Sequence, residues 1–121
     1  MALALSHRGP DANGFFFHDA FALAHLRLSI IDLSDAANQP MTSHNDRYVM
    51  VFNGEVYNYK EIEKELSIQN TAFKAKTTSD TEIILEAFSQ WGIDFVNKLN
   101  GMFAIVIYDK EEKSFSLFRD R

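Results

Sequence analysis

The sequence predicts an α+β sandwich rather than a doubly wound parallel sheet. The predicted elements run in the order strands, helix, helix, strands, whereas a parallel sheet requires strands and helices to alternate along the chain. The 121 residues are 46% hydrophobic and 13% aromatic, which is enough for one packed core and too little for two comfortable ones. The chain has no internal repeat and no Gly/Ser/Pro-rich linker, so we expect a single domain.

The strands are predicted from β-prone runs bounded by turn residues. Residues 15–31 are rich in Phe, Leu and Ile and are interrupted by an Asp-Ala pair, which predicts a hairpin. The run at 48–52 predicts a buried strand, and Asn53-Gly54 is expected to end it sharply because this dipeptide favours tight turns. Residues 102–108 and 114–118, separated by a charged turn, predict a second hairpin.

Capping signals predict two amphipathic helices between these hairpins. Asn58 followed by Glu61 forms a capping-box pattern at the start of a short helix. Ser79 followed by Glu82 forms the same pattern at the start of a second helix, in which Glu82 is expected to return a hydrogen bond to the cap. Gly92 is expected to end this second helix.

Composition and charge exclude several classes of function. The net charge of −5, with no basic cluster, gives no electrostatic footprint for nucleic acid. The longest apolar run is far shorter than the ~20 residues of a membrane-spanning helix, so we expect no membrane partner and a cytoplasmic location. The sequence contains no cysteine, which removes disulfides and thiolate metal ligands. The histidines lack a metal-ligand spacing, so no metal site is expected; they are His7, His18, His25 and His44.

An amide, a backbone N–H and a carboxylate follow one another at Asn53, Gly54 and Glu55. A side-chain amide beside an N–H that no Cβ shields is an arrangement that can stabilise an oxyanion. The alternative interpretation is a plain tight turn, which the Asn-Gly pair taken alone favours.

Two further charged residues have both a structural and a functional interpretation. Arg27 shares a predicted strand face with apolar residues and therefore needs a carboxylate partner, either in a salt bridge or on a ligand. Asp80 is either a helix-capping acid or, because Ser79 and Glu82 already serve the cap, a group free to bind a ligand ammonium. Together with the Asn-Gly pair and Glu55, these residues describe a pocket for a free α-amino acid that carries a side-chain amide.

Several segments in a fixed order span nearly the whole chain: His7-Arg8-Gly9-Pro10-Asp11, Ala24-His25-Leu26-Arg27-Leu28-Ser29-Ile30-Ile31-Asp32, Gln39-Pro40-Met41, Phe52-Asn53-Gly54-Glu55-Val56-Tyr57-Asn58, Ser79-Asp80-Thr81-Glu82 and Asn100-Gly101-Met102-Phe103-Ala104. This set resembles the class II glutamine amidotransferase domain of asparagine synthetases. The Arg-Leu-Ser-Ile and Gln-Pro-Met segments are similar to that branch rather than to the glucosamine-phosphate or phosphoribosyl-pyrophosphate branches.

The resemblance implies an N-terminal-nucleophile hydrolase fold, a four-layer αββα sandwich. It also implies an enzyme that hydrolyses glutamine to glutamate and ammonia, which a C-terminal synthetase domain uses to amidate aspartate. ATP and Mg²⁺ are expected in that synthetase domain only, and the glutaminase domain needs no cofactor of its own. Other members of the family amidate other acceptors, so the acceptor stays open at this point.

The resemblance also assigns roles to residues of this chain. Arg27 would grip the glutamine carboxylate, beside a wall to which the backbone of Leu28 and Ile30 contributes. Glu55 and Asp80 would hold the α-ammonium. Asn53 and the Gly54 N–H would stabilise the tetrahedral oxyanion.

The chain departs from the family at the nucleophile. Family members attack with a cysteine at the processed N-terminus, and this sequence has none. We therefore expect residues 1–121 to form a partial glutamine amidotransferase domain, without the first strand that bears the nucleophile and without the C-terminal strands, and to be inactive alone. Uncovered sheet edges would then favour a homo-oligomer. The alternative hypothesis is a non-catalytic amino-acid-binding or interaction module derived from the same fold.

Overall fold

The computed structural model describes residues 12–18, 21–27 and 38–121. In these ranges the chain forms six strands, two α-helices and one 3-10 helix. The strands are β1 (Ala12–His18), β2 (Phe21–Arg27), β3 (Met41–Thr42), β4 (Tyr48–Val56), β5 (Gly101–Asp109) and β6 (Ser114–Arg119). The helices are α1 (Tyr59–Gln69), α2 (Asp80–Trp91) and the 3-10 helix Gly92–Lys98.

All strand pairings in the described ranges are antiparallel. β1 and β2 form a two-stranded hairpin, and the other strands form a four-stranded sheet in the order β3-β4-β5-β6. The predicted order of strands, helix, helix, strands is confirmed, and so is the α+β class. The antiparallel pairing of β1 with β2 and of β5 with β6 follows from the few residues between the strands of each pair, which are too few for a crossover helix.

The hydrophobic core lies between the helices and one face of the four-stranded sheet. Alternate residues of β4 and β5 point to this face because side chains of a strand alternate between its two sides. Phe95 of the 3-10 helix is fully buried and contacts Phe88 and Phe118 edge-on, with ring centroids 5.4 and 5.0 Å apart. Other members of the core are Met50, Phe52, Val56, Ile62, Leu66, Ile83, Ile84, Ile105 and Ile107.

The hairpin contacts the opposite face of the same sheet. Tyr108 of β5 is buried there, and its ring centroid lies 6.3 Å from that of Phe16, 5.7 Å from that of His18 and 4.7 Å from that of Phe21. The hairpin therefore covers the part of this face around Tyr108. Met102 and Leu117, which also lie on this face, remain 58% and 71% exposed.

The two capping boxes are only partly confirmed. Ser79 caps α2 as predicted, because its Oγ accepts a hydrogen bond from the Thr81 N–H at 3.1 Å. Asn58 occupies the predicted cap position of α1, but its side chain forms no cap hydrogen bond; it binds the Lys98 carbonyl and the Asn100 N–H instead. Gly92 ends α2 as predicted. In the described ranges, no helix has the length and apolarity needed to cross a bilayer.

Candidate functional site

The predicted end of β4 at Asn53-Gly54 is wrong, because the strand continues to Val56. Asn53, Gly54 and Glu55 pair with Ala104, Phe103 and Met102 of β5. Gly54 has φ +138°, and a Cβ built on it would lie 1.9 Å from the carbonyl oxygen of Met102. Glycine is therefore required here for the close approach of a neighbouring strand and not for a tight turn.

A second glycine allows the same approach from β5. A Cβ on Gly101 would lie 2.1 Å from the carbonyl oxygen of Glu55. Just beyond the paired strands, the Tyr57 N–H donates to the Asn100 carbonyl at 2.7 Å, and Asn58 binds the Asn100 N–H at 2.9 Å. Two segments that are distant in sequence are thus held together beside Asn53 and Glu55.

Asp80 lies at this corner, at the first residue of α2. Its carboxylate Oδ2 accepts a hydrogen bond from the Val56 N–H at 3.0 Å, and the residue is only 5% exposed. Ser79 supplies the helix cap, as the sequence predicted, which leaves Asp80 to make a tertiary contact. The structure thus brings Asp80 next to the strand that carries Asn53, Gly54 and Glu55.

Burial is the main influence on the pKa of the Asp80 carboxyl. It raises the pKa of the Asp80 carboxyl above its ordinary value of 3.8, and the negative charge of Glu55 raises it further, against hydrogen bonds from the N–H groups of Val56 and Thr81. Within ranges 12–18, 21–27 and 38–121, neither Asp80 nor Glu55 forms an ion pair within 4.0 Å. A cation arriving beside these two acids would therefore relieve both the desolvation and the repulsion.

Asn53 and Glu55 are both exposed and lie on one face of β4, because they are two residues apart. Val49 lies on the same face of β4 and pairs with Tyr108, whose ring contacts the hairpin. Asn53 and Glu55 therefore lie on the face of the sheet against which the hairpin packs. The amide of Asn53 forms no hydrogen bond with the described part of the chain.

The backbone of Arg27 ends β2, the second strand of the hairpin. In this hairpin Gly14 of β1 pairs with His25 of β2. Gly14 lies so close to Gln39 that an added Cβ would be 1.8 Å from the Gln39 carbonyl oxygen. Gln39 in turn accepts a hydrogen bond from the Phe52 N–H through its side-chain Oε1. The hairpin thus lies, at Gly14, against Gln39, which binds the residue preceding Asn53. The side chain of Arg27 and all of Leu28 and Ile30 lie outside the described residues.

Glu82 has a role that the sequence did not predict. Instead of returning to the cap of α2, its carboxylate binds the backbone N–H groups of Lys76 and Thr77, the Thr77 hydroxyl and the His44 ring. Gln39 stands out in the sequence only as part of a motif. Its position just after a loop and before a proline gives no local sign that it binds a strand N–H.

A cavity of about 420 Å³ lies away from this corner, near the carboxyl-terminal half of α2. Its lining includes His44, Asn70, Phe73, Glu86 and Gln90. None of the residues predicted to bind a ligand lines it. The corner around Asp80 is therefore a different feature of the molecule.

Comparisons with known proteins match the whole chain to one family. The family model described as "Glutamine amidotransferase domain" matches residues 1–121. Asparagine synthetase [glutamine-hydrolyzing] 2 of Bacillus subtilis is 42% identical over 121 residues, which are 100% of this chain and 16% of that protein. Asparagine synthetase B [glutamine-hydrolyzing] of Escherichia coli is 37% identical over 116 residues, 96% of this chain and 20% of that protein.

The relatives also include a protein that is named for a different activity. Amidase chry2 of Gibberella zeae is 39% identical over 119 residues, covering 97% of this chain and 17% of that protein. The chain thus spans between 16% and 26% of the length of the first relatives it matches.

A solved structure of glutamine phosphoribosylpyrophosphate amidotransferase from Bacillus subtilis matches with a TM-score of 0.57 and 22% identity, over 74% of this chain and 21% of that one. This likeness confirms the predicted N-terminal-nucleophile hydrolase-like fold class. The resemblance to the amidotransferase domain of asparagine synthetases is confirmed by the sequence relatives. The chain belongs to the glutamine amidotransferase domain family.

Proposed function

We propose that this domain binds L-glutamine at the corner between β4 and the start of α2, as the glutaminase part of an amidotransferase. The observation that carries the proposal is the hydrogen bond between Asp80 and the Val56 N–H, which brings a buried acid to the strand bearing Asn53, Gly54 and Glu55. Two acids without an ion pair among the described residues suit a substrate ammonium, and an amide beside a strand N–H suits a polarised carbonyl.

In this proposal each group has a distinct task. Asp80 and Glu55 bind the α-ammonium, and Arg27 binds the α-carboxylate beside the backbone of Leu28 and Ile30. The side-chain amide of glutamine then lies at Asn53 and Gly54, which donate hydrogen bonds to its oxygen as the carbonyl becomes tetrahedral. One such donor contributes about 3 kcal/mol to transition-state stabilisation in comparable sites.

These 121 residues contain no cysteine, so the attacking sulfur that the family uses is not among them. We propose that they supply substrate binding and oxyanion stabilisation only. Attack on the glutamine carbonyl carbon releases ammonia and leaves an acyl group on the nucleophile, which water then hydrolyses to glutamate. A polypeptide of this sequence is expected to bind glutamine without releasing ammonia.

The fate of the ammonia belongs to the same proposal. Relatives named glutamine-hydrolysing asparagine synthetases support aspartate as the acceptor, amidated in a synthetase domain that would use ATP and Mg²⁺. A further relative is named as an amidase, so other acceptors stay open within this proposal. We further propose a cytoplasmic location and association of the domain with itself or with a synthetase domain through its exposed sheet face.

The second candidate is a non-catalytic amino-acid-binding module, which the absence of cysteine from the sequence favours. The two candidates differ in whether bound glutamine is hydrolysed. Supplying the domain with the family's cysteine-bearing strand as a peptide, or within one longer chain, should restore ammonia release if the first candidate is right. A binding module would hold glutamine without turning it over in either form.

Binding itself is tested by isothermal titration of the purified chain with L-glutamine. Asp80→Asn removes the negative charge while keeping an oxygen for the Val56 N–H, and we expect about tenfold weaker binding, the loss of one charge-assisted hydrogen bond. Glu61→Gln is the matched control, because Glu61 is an exposed acid in the first turn of α1. Equal affinities for wild type, Asp80→Asn and Glu61→Gln would refute the proposed site.

A further inference from the structure

Glu82 is a buried carboxylate that neither caps its helix nor contacts the proposed substrate site. The residue is 3% exposed. Its Oε1 accepts hydrogen bonds from the Thr77 N–H at 2.8 Å and the Thr77 hydroxyl at 3.1 Å, and the Lys76 N–H lies 2.9 Å from both oxygens. Its Oε2 lies 2.6 Å from Nε2 of His44.

These bonds connect two segments of the chain to the start of α2. His44 belongs to the turn between β3 and β4, and Lys76 and Thr77 belong to the segment that leads into the helix. The Thr77 hydroxyl also accepts a hydrogen bond from the Ser79 N–H at 3.1 Å. A continuous series of hydrogen bonds therefore runs from Glu82 through Thr77 to Ser79, the residue directly before Asp80.

The charge on Glu82 makes this anchor strong. Burial raises the pKa of its carboxyl, but the N–H donors of Lys76 and Thr77 and the contact with His44 outweigh burial and hold the pKa below its ordinary value. The group is therefore ionised at neutral pH, and hydrogen bonds to an ionised acceptor are about twice as strong as neutral ones. The neighbouring acid Glu86 also faces His44, through the His44 N–H at 2.7 Å, but it has no hydrogen bond to residues 76–79.

Asp80 needs such an anchor. Its carboxylate is buried and faces the negative charge of Glu55, so both desolvation and repulsion favour a conformation in which Asp80 turns towards water. The hydrogen bonds from the Val56 and Thr81 N–H groups oppose that movement, and only the one from Val56 comes from outside α2. The first turn of a helix frays easily unless the residues before it are fixed.

We propose that Glu82 is a positioning residue for glutamine binding: it fixes residues 76–79 so that Asp80 stays buried beside Val56 and faces the substrate ammonium. This inference rests on the proposed function of Asp80. Glu82 acts through Asp80 and does not touch the substrate, so its removal should affect recognition of the ammonium and leave recognition of the rest of the molecule unchanged.

The test compares two ligands, L-glutamine and 4-carbamoylbutanoate, which is glutamine without its α-amine. Glu82→Ala should weaken binding of L-glutamine about tenfold and change binding of 4-carbamoylbutanoate by less than about twofold. Glu82→Gln keeps an oxygen for the N–H groups of Lys76 and Thr77 and can still contact His44, so it should recover most of the lost affinity. Glu86→Gln is the matched control and should bind both ligands like the wild type.

A second measurement does not depend on any ligand. The Val56 amide is hydrogen-bonded to Asp80, so its hydrogen exchange reports whether Asp80 stays in place. Exchange of this amide should be faster in Glu82→Ala and unchanged in Glu86→Gln, at equal far-UV circular dichroism. This measurement remains decisive even if Glu82→Ala lowers overall stability. Amides of β5 in the same sheet report the exchange rate that global unfolding alone would cause, and the Val56 amide is compared with them.

The outcomes separate this inference from the proposed function. If Asp80→Asn weakens glutamine selectively and Glu82→Ala weakens both ligands equally, Glu82 is only structural and the inference is refuted. If the wild type binds L-glutamine no better than 4-carbamoylbutanoate, the proposed role of Asp80 fails. An unchanged exchange rate of the Val56 amide in Glu82→Ala would refute the positioning role whatever the ligands show.

Discussion

Replacing Gly54 with alanine tests whether the corner depends on the close approach of β4 and β5. The added Cβ would lie 1.9 Å from the Met102 carbonyl oxygen and 2.8 Å from the Cα of Phe103, both backbone atoms of the neighbouring strand. Ordinary contact begins at 3.4 Å, so β5 would have to move by about 1.5 Å. That movement would disturb the strand pairing on both sides of the site.

The expected cost has two parts. An L-residue at the positive φ of Gly54 is strained by about 1–3 kcal/mol, and the forced movement of packed backbone adds about 1–3 kcal/mol. We therefore expect Gly54→Ala to lower the free energy of unfolding by about 4 kcal/mol, a large part of the stability of a domain of this size.

The matched control is Gly92→Ala. Gly92 also has a positive φ of +67°, with ψ −152°, but a Cβ added to it would meet no atom within 4 Å. Gly92→Ala should therefore lower the free energy of unfolding only by the backbone strain, about 2 kcal/mol. Urea denaturation followed by circular dichroism gives both values. If Gly54→Ala is destabilised no more than Gly92→Ala, the close approach of β5 does not constrain this position and the argument for the strand geometry fails.

Burial and charge lead to three further predictions. Phe95→Ala should lower the free energy of unfolding by about 3–5 kcal/mol because Phe95 is fully buried, whereas Ile93→Ala, at a 66% exposed position, should cost little; chemical denaturation compares them. Asp80→Asn should be more stable than wild type at pH 7, because the fold raises the pKa of Asp80 and so disfavours its ionised form; the difference should shrink as the pH falls towards 3.8. Glu82 has a lowered pKa, so its stabilising contribution is present above pH 4.5 and is lost as the pH falls further. The free energy of unfolding should accordingly fall less steeply below pH 4.5 in Glu82→Gln than in the wild type. An equal fall in both would contradict a stabilising role for the ionised Glu82 carboxylate.

The elements of the fold were predictable because their signals are local. The helix α2 has its cap at Ser79, its apolar stripe and its stop at Gly92 within a short stretch of sequence, and all of these were confirmed. The hairpin β5-β6 is likewise set by two apolar runs and the charged turn between them. In such patterns the residues that contact each other lie close together in the sequence, so the sequence alone is enough to recognise them.

The wrong predictions concern residues whose partners are far away in the sequence. Asn53-Gly54 has the local preference of a tight turn, but pairing with residues 103 and 104 overrides it. Asn58 has the local preference of a cap, but it binds Lys98 and Asn100. No single-sequence rule gives the position of such partners, because they are brought together only by the sheet and by the packing of the helices on it.

The same residues support the proposal that the corner binds a ligand and is not only a structural joint. The close approach of β5 accounts for Gly54, and Ser79 supplies the cap of α2, but neither requires a buried acid at position 80. Here the fold instead keeps a buried acid beside a second acid, at a cost in stability that Asp80→Asn should recover. The predicted effects of that one substitution, higher stability and weaker binding of glutamine, have opposite signs. A purely structural role for Asp80 would require both to move in the same direction.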